Sequence, residues 1–355
     1  MRRVYDIIVS GDRYQLYFYE IVSLLRAYSI DFKIIKSFFK VLRIETGCCP
    51  QELVSILLGA SSVQRILIEK TVVDTLQDLK RVLPSLEWDE LRETPFKVST
   101  LKIGERKGNV RLSSIIPLVV KSIMNKLNDQ VRIDIKYPKA RVVIVSLSSS
   151  KVLVGVEMLS LRGDRFRFRD PKMKIFKHPS MLTTRDARLL YNLALVKSPK
   201  DTKFLDPFCG TGSILIESAI EGSYSIGVEI RRDLIKGAKN NIKEFSVYGN
   251  IDLIHADSTL LPLRRNSFES VGTDPPYGRL SSTYRRENCE LLEKFIREAT
   301  RVLKRKGKIV IMYNYKYRRC ILEEFRKRRI KVDEEYSFIV HNGLTRIVIM
   351  ARIND

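Results

Sequence analysis

The stretch Thr273-Asp274-Pro275-Pro276-Tyr277-Gly278 constrains this chain more than any other. It follows an apolar run, residues 268–272, that reads as a buried strand. A carboxylate, two prolines and an aromatic ring therefore arrive together at the end of a strand. In an open α/β sheet that edge is where ligands bind. A second stretch, Phe204-Leu205-Asp206-Pro207-Phe208-Cys209-Gly210-Thr211-Gly212, has the same strand-then-loop form.

The chain around these two stretches alternates regularly. Strands are expected at 203–206, 224–229, 251–255, 268–274 and 308–313, with helices at 213–220, 232–245, 288–303 and 316–328. Two last strands, 331–340 and 344–352, are joined by His341-Asn342-Gly343, a tight-turn signal. The pattern is α/β, a seven-stranded doubly wound sheet with its last strand antiparallel. Upstream, residues 1–70 read β-α-β-β-α-β, a ferredoxin-like order. Residues 71–160 read as a second α+β segment whose final strands are 131–137, 141–147 and 151–159. Residues 161–180 read as a linker, and 181–355 as the catalytic domain.

Charge sets the partner class. The net charge is +23, a field that suits a polyanion, most often nucleic acid. A lysine-rich thermophile surface is the alternative, but that enrichment adds glutamate alongside lysine. The middle third is the densest in excess charge and supplies Lys97, Lys102, Arg106, Lys107, Arg111 and Lys121 as candidate RNA contacts, with Arg165 and Arg167 in the linker. Few aromatic residues interleave with them, so phosphate and shape recognition of a folded RNA fits better than single-strand stacking. No apolar run reaches the roughly 20 residues that span a bilayer. The first residues also lack the apolar core of a secretion signal. A soluble, cytoplasmic protein with no membrane partner is expected. The five cysteines, Cys48, Cys49, Cys209, Cys289 and Cys320, form no CxxC pair, and no metal is expected. Their odd number fits a reducing compartment, with a disulfide left open.

The motifs carry a specific chemistry. Gly210 and Gly212 let the backbone turn tightly and approach a ligand before a helix begins. No lysine follows Gly212, so this is not a nucleoside-triphosphate loop. Asp206 would repel a pyrophosphate and suits a cationic group such as the ammonium of a methionine moiety. S-adenosylmethionine meets these requirements, with Pro207, Phe208 and Thr211 in the same loop. Glu229, ending the next strand, can accept from ribose hydroxyls, and Asp257, after the third, from an adenine amino group. His178 shapes the entrance on the cofactor side. Asp274 and the carbonyl of Pro275 can accept the hydrogens of an exocyclic amine and localise its lone pair. Pro275 and Pro276 fix the direction of that carbonyl, and Tyr277 offers a stacking face to a flipped base.

Asp-Pro-Phe-Cys-Gly-Thr-Gly-Ser at 206–213 followed by Thr-Asp-Pro-Pro-Tyr-Gly-Arg at 273–279 resembles the amino-methyltransferases of the DPPY type. The ferredoxin-like start, the basic α+β segment and the linker resemble the THUMP-containing tRNA methyltransferases. His178-Pro179-Ser180-Met181 and Tyr277-Gly278-Arg279 look most like the archaeal enzymes that methylate N2 of guanine at position 10 of tRNA. The resemblance implies a Rossmann-fold methyltransferase domain, a THUMP segment over 71–160, S-adenosylmethionine as cofactor and tRNA as partner. It also implies one or two methyl transfers, and a monomer is expected. It places Asp206, Gly210, Gly212, Glu229 and Asp257 at the cofactor and Asp274 to Tyr277 at the guanine. Thr183-Thr184 stands where that family tends to have a proline. Guanine N2 at position 6, adenine N6, and a catalytically silent RNA-binding protein are the rival readings.

Overall fold

The structure is a computed structural model that describes residues 2–103, 112–128, 130–148, 150–276, 282–341 and 343–354, with the backbone alone for 282–287. The chain forms two compact units: residues 1–14, 30–58 and 62–163, and residues 15–29, 59–61 and 164–355.

In chain order the elements begin with β1 (Arg3–Val9), α1 (Tyr14–Ala27), β2 (Phe32–Phe38), β3 (Val41–Thr46), α2 (Pro50–Leu58) and β4 (Val63–Val73). They continue with α3 (Leu76–Val82), β5 (Phe96–Lys102), α4 (Ile116–Lys126), β6 (Ala140–Ser146) and β7 (Val152–Ser160). The first unit is built on one seven-stranded sheet, ordered β2-β3-β1-β4-β7-β6-β5. Strand β4 spans residue 70 and pairs with β1 on one side and β7 on the other. Only β5 and β6 run parallel. One apolar cluster gathers Trp88, Phe96, Val119 and Ile123 with Val142, Ile144 and Val154.

The expected strand at 131–137 is not one. A single bridge joins Ile133 to Phe96. Asp134 Oδ1 accepts the N–H of Lys136 at 3.1 Å and of Tyr137 at 2.8 Å, turning the chain ahead of Pro138. The side chain satisfies the donors that a ladder would have used. The alternating Val131, Ile133 and Ile135 mimic a strand, yet Ile135 is 78% exposed.

The second unit contains α5 (Thr184–Ala194), β8 (Lys203–Asp206), α6 (Ser213–Glu221), β9 (Tyr224–Glu229), α7 (Arg232–Glu244) and β10 (Ile251–His255). It ends with β11 (Phe268–Thr273), α8 (Ser282–Val302), β12 (Leu303–Asn314), α9 (Arg318–Lys327), β13 (Lys331–His341) and β14 (Leu344–Arg352). The sheet order is β10-β9-β8-β11-β12-β14-β13. Every neighbouring pair up to β12 is parallel, and β14 runs antiparallel to both β12 and β13. This is the expected doubly wound sheet with its last strand reversed. All six residues of β11 are buried, as a strand covered on both faces requires.

Two pieces of chain outside the β/α repeats are held in this unit. Helix α1 brings Glu20, whose carboxylate accepts from Asn192 Nδ2 at 2.7 Å, and Ser23, whose hydroxyl accepts from Lys308 Nζ at 3.1 Å. Burial lowers the Lys308 ammonium to about 7. The 164–182 segment is pinned along α6 and α7. Arg169 Nε donates to Glu217 at 2.7 Å and Lys174 Nζ to Ser213 Oγ at 2.9 Å. Phe176 lies against Gly237, where a Cβ would come within 2.2 Å of its ring. A disulfide joins Cys289 of α8 to Cys320 of α9, while Cys48, Cys49 and Cys209 are free. Among the described residues no helix is long and apolar enough to cross a membrane.

Glu217 is the anchor of this clamp, because its buried carboxylate also accepts from Arg188 Nε at 2.9 Å. Removing one partner of a buried ion pair leaves the other charge uncompensated, at a cost of about 3–5 kcal/mol. Glu217→Ala is expected to lower the stability of the second unit by that order in denaturant unfolding. A loss under about 0.5 kcal/mol, the range of a surface substitution, would show that the clamp does not hold the segment.

Candidate active site

The strand order of the second sheet reverses direction between β8 and β11. The loops at that switch point open a crevice at the carboxyl edge, where such sheets bind ligands. A cavity of about 480 Å³ lies there. Its wall includes Asp206, Gly210, Glu229, Asp257, Asp274 and Arg346.

The glycine loop forms the floor. Gly210 and Gly212 have φ of 51° and 81°, in the left-handed region that costs other residues roughly 1–2 kcal/mol. The turn is closed by the N–H of Gly212, which donates to the Cys209 carbonyl at 2.8 Å. Helix α6 starts at the next residue. The Glu229 carboxylate braces this loop from the neighbouring strand: Oε2 accepts the N–H of Gly210 at 3.1 Å and Oε1 that of Arg231 at 2.9 Å.

Asp206 is fully buried at the end of β8. Its Oδ1 accepts from the Thr273 hydroxyl at 2.7 Å and from the N–H of Phe208 at 3.2 Å. Burial pushes its carboxyl up to about 7, the Thr273 and Phe208 hydrogen bonds pull it down, and the nearby Asp274 and Glu229 push it up further. A carboxylate placed this way fits a cationic group. Asp257 turns the loop after β10, its Oδ1 accepting the N–H of Thr259 at 2.8 Å. His178 Nδ1 lies 2.7 Å from the Ser180 hydroxyl, and both residues line the cavity.

At the end of β11, Asp274, Pro275 and Pro276 form the opposite wall. Asp274 Oδ2 accepts from Arg346 Nη1 at 3.1 Å. The cavity thus brings together His178, Asp206, Phe208, Gly210, Thr211, Glu229, Asp257, Asp274, Pro275 and Pro276 from the sequence reading. Pro207 and Gly212 are not on its wall. The Pro207 carbonyl accepts from Ser258 Oγ at 2.6 Å, and Gly212 caps α6. Tyr277 lies outside the described residues, as do Arg106, Lys107 and Arg111.

The remaining basic candidates are not gathered on one face. Lys97 and Lys102 are an odd number of residues apart on β5 and so point to opposite faces of the sheet. Lys121 is exposed on α4. Arg165 donates to the Ala60 carbonyl and lies 4.6 Å over the Phe166 ring, with burial lowering its guanidinium to about 10. Arg167 is exposed. Arg346 is a charged wall residue that sequence reading missed, and Arg231, Ser258 and Thr259 on the same wall were missed too. The available signal for Arg346 was the hairpin turn at Gly343: a reversed strand begins at the edge where its parallel neighbours end.

The RMKL-like methyltransferase domain family matches residues 171–347. The chain is 25% identical to the tRNA (guanine(10)-N2)-dimethyltransferase of Methanothermobacter thermautotrophicus, over 96% of this chain and 97% of that one. It is 31% identical to a probable tRNA (guanine(10)-N2)-dimethyltransferase of Methanothermococcus thermolithotrophicus, over 48% of this chain and 98% of that one. Among solved structures, TrmN from Thermus thermophilus matches with a TM-score of 0.54 at 18% identity, covering 99% of both chains. That last match is a likeness of fold.

The buried Asp206 carboxyl makes stability depend on pH. Its proton is held to about pH 7 in the folded protein, against an ordinary value of 3.8. Between these values the folded state binds more protons than the unfolded one, so stability falls as pH rises and levels off above 7. The effect reaches up to roughly tenfold in the unfolding equilibrium per pH unit. Asp206→Asn is expected to flatten this slope in thermal unfolding of the ligand-free protein between pH 4 and 8. Equal slopes in both proteins would contradict the assignment.

Proposed function

The chain belongs to the RMKL-like methyltransferase family, together with tRNA (guanine-N2) methyltransferases, and from that premise we propose that it methylates the exocyclic N2 amine of guanine at position 10 of tRNA, once or twice, using S-adenosylmethionine. The observation that carries the reading is the pair of strand ends meeting in one cavity: the Asp206–Gly212 loop on one side and Asp274-Pro275-Pro276 on the other. The position in the tRNA is supported by the full-length likeness to a position-10 enzyme.

The residues fit the cofactor. Asp206 sits where a cation relieves the repulsion from Asp274 and Glu229, Glu229 stands at a ribose-accepting position, and Gly210 exposes backbone on the cavity wall. When bound, S-adenosylmethionine would supply an electrophilic methyl group, its sulfur keeping the bonding electron pair, and the proton that the amine loses on methylation goes to the Asp274 carboxylate. Asp274 and the Pro275 carbonyl accept the amine hydrogens, directing the nitrogen lone pair away from the ring. Tyr277 stacks on the base. Their contribution is alignment, which supplies rate by holding the reacting atoms in register. Half-buried Lys97 and exposed Lys102 and Lys121 in the first unit, with exposed Arg167, support a role in holding the phosphate backbone, and the protein acts as a monomer in the cytoplasm.

Three measurements test the reading. Purified protein with unmodified tRNA transcript and S-adenosylmethionine should give methylguanine at position 10 by mass spectrometric mapping. Asp274→Ala should lower the rate at least ~100-fold, the scale of losing one aligned polar group in an active site, with cofactor binding retained. Methyl groups on adenine, or a fully active Asp274→Ala, would overturn it. The cofactor's affinity should also rise between pH 5.5 and 7, by up to roughly tenfold per unit, because its ammonium binds the ionised form of Asp206. A pH-independent affinity over that window in calorimetry would remove Asp206 from the cofactor's ammonium.

A further inference from the structure

Arg346 lies near the start of β14, opposite Asn314 of β12 and Phe338 of β13. Because β14 is the reversed strand, its beginning reaches the same sheet edge as the end of β11. Its guanidinium lines the cavity, and Nη1 lies 3.1 Å from Asp274 Oδ2 and 3.1 Å from Met312 Sδ. Both side chains of the pair are mostly buried, 21% exposed for Arg346 and 12% for Asp274. Solvent therefore does little to screen the interaction, unlike that of a surface pair.

We infer that Arg346 is a positioning residue for methyl transfer: it holds the Asp274 carboxylate ionised and fixed through Oδ2, so that Asp274 meets the incoming amine as an aligned hydrogen-bond acceptor. The inference rests on the reading of Asp274 as the amine acceptor. Two physical arguments carry it. A lone carboxylate on a one-carbon stem can rotate about its terminal torsion, which is broad, and a charge-assisted bond from a guanidinium removes that freedom. The same wall also holds three further carboxylates, Asp206, Glu229 and Asp257. Crowding of like charges favours the protonated form of any one of them. A protonated Asp274 would present a donor to the amine and lose the lone-pair alignment. Arg346 supplies the opposing positive charge in contact with Asp274. The other charged and titratable groups on the described wall are Arg231, which pairs with Asp233 at 2.6 Å, His178, which is bonded to Ser180, and the Cys209 thiol, which burial pushes well above its ordinary range.

The test uses the full-length protein and tRNA transcript. Arg346→Gln should leave S-adenosylmethionine affinity within about twofold, lower kcat by roughly 10- to 100-fold with a smaller change in KM for tRNA, and move the acid limb of the kcat profile to higher pH. Arg346→Lys keeps a positive charge beside Asp274. It should lower kcat less and leave the acid limb in place, and it carries the test if the glutamine variant does not fold. An unmoved acid limb in Arg346→Gln, an acid limb that moves in Arg346→Lys as far as in the glutamine variant, or a loss confined to KM would overturn the proposal. The last result would make Arg346 an RNA contact. Wild-type protein without activity on tRNA would instead refute the functional reading on which the proposal stands.

Discussion

The site depends on one hydrogen bond between strands that are neighbours in space and distant in sequence. Thr273 at the end of β11 donates to Asp206 at the end of β8, 67 residues apart in the chain, at 2.7 Å. The pairing of β8 with β11 is where the sheet changes winding direction, so loops leave its two sides and cannot fill the gap between them. The gap becomes the cavity. Because the bond fixes the two strand ends against each other, the position of Asp274, one residue beyond Thr273, is set relative to the glycine loop. A reaction that needs an amine and a methyl group in register requires such a constraint between its two half-sites.

The reversed strand has a second consequence. A parallel seventh strand would start at the far edge of the sheet and could offer the cavity only its last residues. Running backward, β14 contributes a residue just after the hairpin turn, while its remaining length, from Ile347 to Ala351, is buried in the core. The chain thus places a guanidinium at the active edge directly before the five packed residues of a strand. Packing removes the flexibility that a loop-borne arginine would have.

Much of this site was legible in the sequence because its parts are local. A strand ending in a carboxylate, followed by glycines and a helix, is a pattern within ten residues, and the same holds for Asp274-Pro275-Pro276. The seven-stranded sheet followed from regular alternation. What stayed hidden is non-local. Arg346 is recognisable only when the hairpin register and the neighbouring β11 are known. The Glu20–Asn192 bond joins residues 172 apart. The expected strand at 131–137 failed for a local reason that periodicity does not weigh, since Asp134 satisfies two backbone donors itself. In residues 161–180 the scarcity of periodicity read as a linker. The segment lacks periodicity because single side chains, Arg169, Lys174 and Phe176, dock it onto α6 and α7, and discrete anchors need no repeat.

The charge balance shows the same separation between composition and placement. A net +23 marks a polyanion partner, but many of the basic side chains are spent inside the protein. Arg43 pairs with Glu69, Arg65 with Glu157, and Arg169 and Arg188 with Glu217. Arg165 is likewise turned onto the Ala60 carbonyl. A guanidinium paired with a carboxylate is close to neutral to a phosphate beyond about a Debye length, 8–10 Å at ordinary salt, whereas Arg165 on its carbonyl keeps its charge. Among the described candidates the cations left without such a partner include Lys97 and Lys102, on opposite faces of β5, and Lys121 on α4. Charge at this range sets attraction, whereas aligning reacting atoms needs closely spaced groups such as those around Asp274.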